Sequence, residues 1–151
     1  MELIYKNFLK EKNNNFNLEY YSIRKDFSFK KEQYNKKEFV KRVENIILNL
    51  EKYSHFKKFT IILENNVDII FLIYSLMLLG KKIIIINPDE LKDVKKNILS
   101  KNKESILISR KILNEFKKKH LILPVKKLFR KNKNKINLLK HIKKKKFRKI
   151  S

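Results

Sequence analysis

The chain has 151 residues and no cysteine, which excludes disulfide bonds and thiolate metal sites. Its formal net charge is +24, and no acidic residue follows Glu115, so the 16 basic residues beyond that position make the C-terminal part uniformly positive. The most apolar stretch, residues 69–80, is shorter than the about 20 residues of a membrane-spanning helix, and the N-terminus lacks the apolar core of a secretory signal, so we expect a cytoplasmic protein.

The first 34 residues show no clean hydrophobic period, and we interpret them as an irregular segment. The next stretch predicts an amphipathic helix, because its apolar residues recur at steps of three and four. Asn35 and Glu38 have the spacing of a capping box that would start this helix. Its predicted buried face consists of Phe39, Val43, Ile46, Ile47 and Leu50.

A buried strand and a second helix are predicted next. The run FTIIL, residues 59–63, is short, apolar and bounded by polar residues, which is typical of a buried strand. Asn66 is the expected N-cap of the following helix, and Asp68 in the first turn would interact favourably with the helix dipole. This helix is apolar on nearly all sides, so we expect it to be largely buried. Gly80, the only glycine of the chain, is expected to end it in the left-handed conformation.

The run KIIII, residues 82–86, predicts a strand covered on both faces. The tetrapeptide NPDE then predicts a helix start, with Asn87 as the cap, Pro88 as the first helical residue and Glu90 completing the capping box. Asp89, Glu90 and Asp93 fit first-turn helix acids better than a metal site. The predicted inner face of this helix consists of Leu91, Val94, Ile98 and Leu99.

The remaining pattern predicts a strand at 105–109, a short helix at 110–119 and a possible fourth strand at 121–125. Alternating buried strands and helices joined by short turns are typical of a parallel sheet. We therefore predict an α/β fold: a small, parallel, Rossmann-like βαβαβ sheet with an extra N-terminal helix and a basic C-terminal tail. The predicted division is an irregular segment at 1–34, an α/β subdomain at 35–125 and a tail at 126–151 that is either helical or disordered. Residues expected in the core of the sheet are Ile61, Ile62, Ile84, Ile85, Ile106 and Leu107.

Four sequence elements occur in an order that resembles a known family. A strand ends in a Glu-Asn turn, a helix stops at a Leu-Gly step, an apolar strand ends in Asn-Pro, and a further strand follows. Residues 34–110 are similar in this respect to the N-terminal part of the AMP-binding, acyl-adenylate-forming superfamily, which includes the acyl-CoA synthetases. The matching positions are Glu38, Phe39, Glu64, Asn65, Leu79, Gly80, Asn87, Pro88 and residues 106–109.

The resemblance implies a ligase that uses ATP and Mg²⁺ in its complete form. Such ligases hold ATP with a loop rich in serine, threonine and glycine, where backbone amides approach the phosphates. This chain has one glycine, and the expected helix end already uses it. We therefore assign no catalytic, cofactor-binding or metal-binding residue and no cofactor to this chain. The prediction is a truncated or split synthetase-like protein that is inactive alone and that a complementary chain could complete.

The alternative prediction is a basic protein associated with nucleic acid or the ribosome. The tail carries many lysines and few stacking aromatic residues, which favours nonspecific electrostatic contact with a polyanion over base recognition. Three histidines, His55, His120 and His141, are too far apart in sequence to suggest a metal site. The candidate polyanion contacts are Lys143, Lys144, Lys145, Lys146, Arg148 and Lys149.

Overall fold

A computed structural model describes residues 16–64, 66–111, 114 and 116–133. Within these residues no helix is both long enough and apolar enough to cross a membrane. The elements in chain order are β1 (Asn17–Ile23), β2 (Phe29–Asn35), α1 (Lys36–Leu50), a 3-10 turn (Glu51–Tyr53), β3 (Lys58–Ile62), α2 (Val67–Leu78), β4 (Lys82–Ile86), α3 (Lys92–Ser100), β5 (Ile106–Ser109), β6 (Ile122–Pro124) and α4 (Val125–Phe129).

The prediction of an irregular N-terminal segment is wrong over residues 17–34, where β1 and β2 form an antiparallel hairpin. Inward-facing residues of the hairpin pack against the main core, and these include Leu18, Tyr20 and Tyr34. The alternation of inward and outward residues is present in the sequence of β1. This alternation was not recognised in the sequence, because one side of the hairpin faces solvent and its strands carry charged residues.

The capping box of α1 is confirmed. The side chain of Asn35 accepts a hydrogen bond from the Glu38 backbone N–H at 3.0 Å. The Glu38 carboxylate accepts one from the Asn35 N–H, also at 3.0 Å. The predicted buried face of this helix is confirmed in all five positions, so α1 turns an apolar stripe toward the sheet.

Four parallel strands form the central sheet in the order β4-β3-β5-β6, which confirms the predicted α/β class and parallel pairing. One face of the sheet, with Ile61 and Ile108, packs against α1, α2 and α4. The opposite face, with Ile62 and Leu107, packs against Leu99 of α3 and a smaller apolar cluster. The helices therefore cover both faces, as in a doubly wound fold.

The predicted end of α2 is also confirmed. Gly80 has a φ of 65°. Its N–H donates to the carbonyl of Met77 at 3.0 Å, and the N–H of Lys81 donates to the carbonyl of Leu76 at 2.9 Å, which is the Schellman pattern. The expectation that α2 is largely buried holds for its core-facing side only, because Tyr74 and Met77 are exposed.

The predicted burial of β4 is wrong at its centre. Ile85 is 55% exposed, and Ile84 is only partly buried. The cause is strand order, because within the part of the chain that the structure describes β4 is an edge strand that pairs only with β3. Burial is confirmed for Ile61, Ile62, Ile106 and Leu107.

Helix α3 begins later than predicted, at Lys92. Asn87 instead stabilises a turn, in which its side chain accepts a hydrogen bond from the Asp89 N–H at 3.0 Å. The N–H of Glu90 donates to the Asn87 carbonyl at 3.1 Å. Because the helix starts later, Leu91 lies outside it as the N-cap residue. Leu99 is buried and Ile98 partly buried, whereas Leu91 and Val94 are exposed.

The packed core extends beyond the predicted boundary at Val125. Leu128 of α4 is buried, and the side chain of Asn49 on α1 donates to the carbonyls of Leu128 at 2.9 Å and Arg130 at 2.8 Å. Asn45, one turn earlier, also donates to the Arg130 carbonyl, at 2.9 Å. The start of the predicted tail is therefore hydrogen-bonded to α1.

Two other predictions lie partly or wholly outside the described residues. Of the helix predicted at 110–119, residues 114 and 116–119 form turns, with Lys119 and His120 both donating their N–H groups to the Phe116 carbonyl at 3.0 Å. The six candidate polyanion contacts at 143–149, and Asn65 of the Glu-Asn turn, are not among the described residues.

Candidate functional site at the carboxyl edge of the sheet

The strand order creates a crevice at the carboxyl ends of β3 and β5. From β3 the chain passes through α2 to β4 on one side, and from β4 it returns through α3 to β5 on the other side of β3. Ligands of open α/β sheets bind where neighbouring strands diverge in this way. The residues that follow the two strands, Glu64 and Asn66 after β3 and Arg110 after β5, are therefore placed at the position where the fold favours binding.

Asn66 forms the N-terminal cap of α2, as predicted. Its Oδ1 accepts a hydrogen bond from the Asp68 N–H at 2.9 Å. Its Nδ2 is buried and has no hydrogen-bond partner among the described residues. A buried donor without an acceptor costs about 1–3 kcal/mol, and a carbonyl or carboxylate oxygen placed in the crevice would remove that cost.

An ion pair closes one side of the crevice. The guanidinium Nη2 of Arg110 lies 3.8 Å from a carboxylate oxygen of Asp68, which joins the start of α2 to the end of β5. This distance exceeds that of a hydrogen bond, so the contact is electrostatic. Burial raises the pKa of the Asp68 carboxyl, while the positive charges of Arg110 and Arg42 act in the opposite direction.

A second arginine connects the hairpin to the helices. The guanidinium of Arg42 on α1 lies 4.7 Å from the ring centre of Tyr34 and 5.3 Å from that of Phe71. The Tyr34 hydroxyl donates to the Glu32 carboxylate at 3.0 Å. Burial, followed by this hydrogen bond, raises the pKa of Tyr34.

The side chains at this crevice provide hydrogen-bond donors and one acid. Asn66 Nδ2 and the guanidinium of Arg110 are donors, and Asp68 is an acid held partly out of water. Among the described residues no group of three histidine or acidic side chains could hold a metal ion.

Sequence reasoning identified Asn66 and Asp68 only as helix-capping residues and did not select Arg42 or Arg110. The available signal was the position of Arg110 directly after a predicted strand, since the carboxyl edge of a parallel sheet carries ligand sites. The pairing of Asp68 with Arg110, 42 positions away, could not be predicted from the local sequence around either residue.

The ionisation of Asp68 is expected to make stability depend on pH. Because burial raises the pKa of the Asp68 carboxyl above 3.8 in the folded chain, the folded state binds the carboxyl proton more tightly than the unfolded state does. Loss of this proton as pH rises above about 3.8 therefore lowers the free energy of unfolding. In Asp68→Asn this loss is absent. We expect the melting temperature of the variant, minus that of the unchanged chain, to increase from pH 3.5 to pH 7, over the window that begins at about 3.8.

Thermal denaturation followed by circular dichroism at several pH values measures this difference. Groups without an electrostatic interaction with Asp68, such as Glu19, titrate in both proteins and cancel. A difference that stays constant or shrinks with rising pH would contradict the raised pKa of Asp68.

The described fold matches the N-terminal region of adenylate-forming enzymes, as the sequence resemblance predicted. The unliganded O-succinylbenzoate coenzyme A synthetase of Bacillus subtilis is similar over 70% of this chain and 23% of its own, with a TM-score of 0.61 and 16% identity. The same enzyme in complex with AMP matches over 76% of this chain and 30% of its own, with a TM-score of 0.61 and 17% identity.

The N-terminal subdomain of NpsA from Klebsiella oxytoca, in complex with 3-hydroxyanthranilyl-AMSN, also shares the fold. Its TM-score is 0.59 at 15% identity, covering 70% of this chain and 27% of its own. This chain therefore spans about a quarter of the solved chains that it matches. No protein-family model and no curated protein matches the sequence.

Proposed function

We propose that this chain serves as the N-terminal segment of an acyl-CoA synthetase-like, AMP-forming ligase, and that it does not catalyse adenylation alone. The observation that carries this proposal is the structural match to the N-terminal region of such enzymes. About three quarters of each solved chain lies outside the match, and the rest of the ligase would have to come from a part that corresponds to it.

The chemistry of the described residues supports a role as a segment of a larger enzyme. ATP and Mg²⁺ in adenylate formation require a phosphate loop, and the sequence has no glycine-rich stretch that could form one. We therefore place both cofactors on the complementary part of the ligase. The crevice with Asn66, Asp68 and Arg110 would then contribute polar contacts at the boundary with that part.

Exposed apolar side chains are consistent with a covering partner. Ile85 lies on β4, whose outer edge has no paired strand among the described residues. Ile23 and Phe29 form an exposed pair near the tip of the hairpin. An unpaired edge with an apolar residue favours association with further chain. A complementary segment that covers these positions would bury them.

The test is ATP–pyrophosphate exchange by the pure chain, with panels of aryl, fatty and amino acids. We expect no acid-dependent exchange from the chain alone. Co-expression with a polypeptide from the same organism that carries a ligase-type phosphate loop should give acid-dependent exchange that neither polypeptide shows separately. Robust exchange by the pure chain would disprove the proposed dependence on a partner, and failure of every such combination would remove the ligase assignment.

A second candidate function is nonspecific polyanion binding, which the charge distribution favours. The 16 basic residues after Glu115 are accompanied by no acid. Such a segment would attract RNA or DNA by counterion release whether or not the folded part belongs to a ligase.

A further inference from the structure

A second concave site lies on the opposite edge of the sheet from the crevice. It is a pocket of about 490 Å³ between the end of α3 and the turn that precedes β6. Its lining includes His120, two residues before β6, and Lys103 of the loop before β5. Because the strands are parallel, these positions lie at the amino edge of the sheet. The volume is within the range of about 300–1,000 Å³ that small-molecule sites occupy.

Positive charge surrounds this pocket. Lys96, Lys103 and Lys119 are among the residues that line it, and all three lysines are exposed at the surface. The described lining residues include no acid, and Lys96 forms an ion pair with the exposed Asp93 at 3.9 Å. Clustered charges of one sign around a low-dielectric cleft concentrate ligands of the opposite sign.

The inner part of the pocket is apolar and fixed. Leu99 and Phe116 line it, and both are buried in the smaller core cluster beneath the sheet. His120 is 8% exposed, and its Nδ1 lies 3.5 Å from the Ser105 carbonyl. The hydroxyl of Ser105 in turn lies 3.0 Å from that of Thr60, so a hydrogen bond connects Ser105 to β3.

We propose that this pocket binds a small organic anion with a flat or short apolar body and a phosphate or carboxylate head. The apolar body contacts Leu99 and Phe116, and the head interacts with the ammonium groups of Lys96, Lys103 and Lys119. An inorganic anion would lack the apolar contact, and a neutral aromatic molecule would lack the ionic one. This site is separate from the carboxyl-edge crevice and goes beyond the proposed ligase role.

The test is a titration with phenyl phosphate, benzoate and inorganic phosphate, followed by backbone amide shifts in NMR spectra of the full chain. We expect saturable shifts with phenyl phosphate or benzoate, centred on residues 96–103 and 116–120, and weaker binding of inorganic phosphate. Lys103→Glu should weaken binding of the organic anion by about tenfold or more, which corresponds to about 1.4 kcal/mol.

Lys101→Glu is the matched control, because Lys101 is exposed on the same loop but does not line the pocket. We expect it to change affinity by less than about twofold, a small fraction of the tenfold effect. Thermal melts of both variants establish that each remains folded. Equal weakening by the two variants, equal binding of inorganic phosphate, or no binding of either organic anion at millimolar concentration would each overturn the proposal.

Discussion

Replacing Ile61 with aspartate is expected to unfold the chain, whereas the same replacement at Ile85 is expected to leave it folded. The two residues are register partners on neighbouring strands, β3 and β4. Ile61 is 0% exposed in the core, and Ile85 is 55% exposed at the sheet edge. The two replacements therefore match in residue type, in position in the pleat and in introduced charge. They differ in the burial of the replaced side chain.

The destabilisation expected for Ile61→Asp has two sources. Removing a large aliphatic side chain from a core costs about 2–5 kcal/mol. An unpaired charge in that position adds a further desolvation cost. A typical domain is stable by only about 5–15 kcal/mol, so Ile61→Asp approaches or exceeds the total. At Ile85 the carboxylate remains hydrated, and we expect a change within about 1 kcal/mol, typical of surface substitutions.

Circular dichroism and urea denaturation of the two variants measure this contrast. Ile61→Val is a conservative reference at the buried position and should cost about 0.5–1.5 kcal/mol. If Ile61→Asp and Ile85→Asp have the same unfolding midpoint, the assignment of β4 to the sheet edge is wrong.

Binding of duplex DNA, where it occurs, is expected to fall steeply with salt and to depend on residues 134–151. That segment contains eight basic residues and no acid. Each neutralised phosphate contributes about −0.9 to the slope of log affinity against log salt, so eight contacts give a slope of about −7. Between 50 and 200 mM salt this corresponds to a loss of about 10³ to 10⁵ in affinity.

The structure determines where the chain can be cut for this test. Removing all residues after Val125 would delete the buried Leu128 and the carbonyls that Asn45 and Asn49 bind. A chain that ends at Lys133 keeps these contacts and lacks the eight distal basic residues. We expect it to retain its melting temperature, to lose most of its affinity for DNA, and to show a correspondingly shallower salt slope.

A variant of full length separates charge from chain length. Replacing Lys143, Lys144, Lys145 and Lys146 with glutamine should make the slope shallower by up to about 4. Two unrelated DNA sequences should bind alike. An unchanged slope in the shortened chain, or a preference above about 10³ for one sequence, the lower limit of specific recognition, would instead favour a nucleic-acid site within residues 1–133.

Helix termini were predictable because their signals are local. The capping box of Asn35 and Glu38 and the left-handed Gly80 each satisfy backbone groups within a few residues of themselves. Asn87 shows the limit of such reasoning. Its side chain also bonds to the backbone two residues later, but the resulting turn does not continue into a helix until Lys92. The same local hydrogen bond serves caps and turns, so it does not fix a helix start.

The crevice was only partly predictable. Asn66 and Asp68 were identified only as residues at a helix start. The contacts of Asp68 with Arg110, and of Arg42 with Tyr34 and Phe71, join elements that are distant in the chain. No spacing rule connects them, because their proximity depends on strand order and on the packing of the hairpin.

The sequence by itself determined the α/β class, the parallel pairing and the face of α1 that is buried, because hydrophobic periodicity and capping act over a few residues. Tertiary structure alone decided which isoleucine-rich strand lies at an edge, and therefore that Ile61 is buried while Ile85 is exposed. It also decided that Leu128 joins the core and that Lys119 lies at one pocket with Lys96 and Lys103. The physical reason is that burial is a property of neighbours, and the neighbours of these residues come from elements far away in the chain.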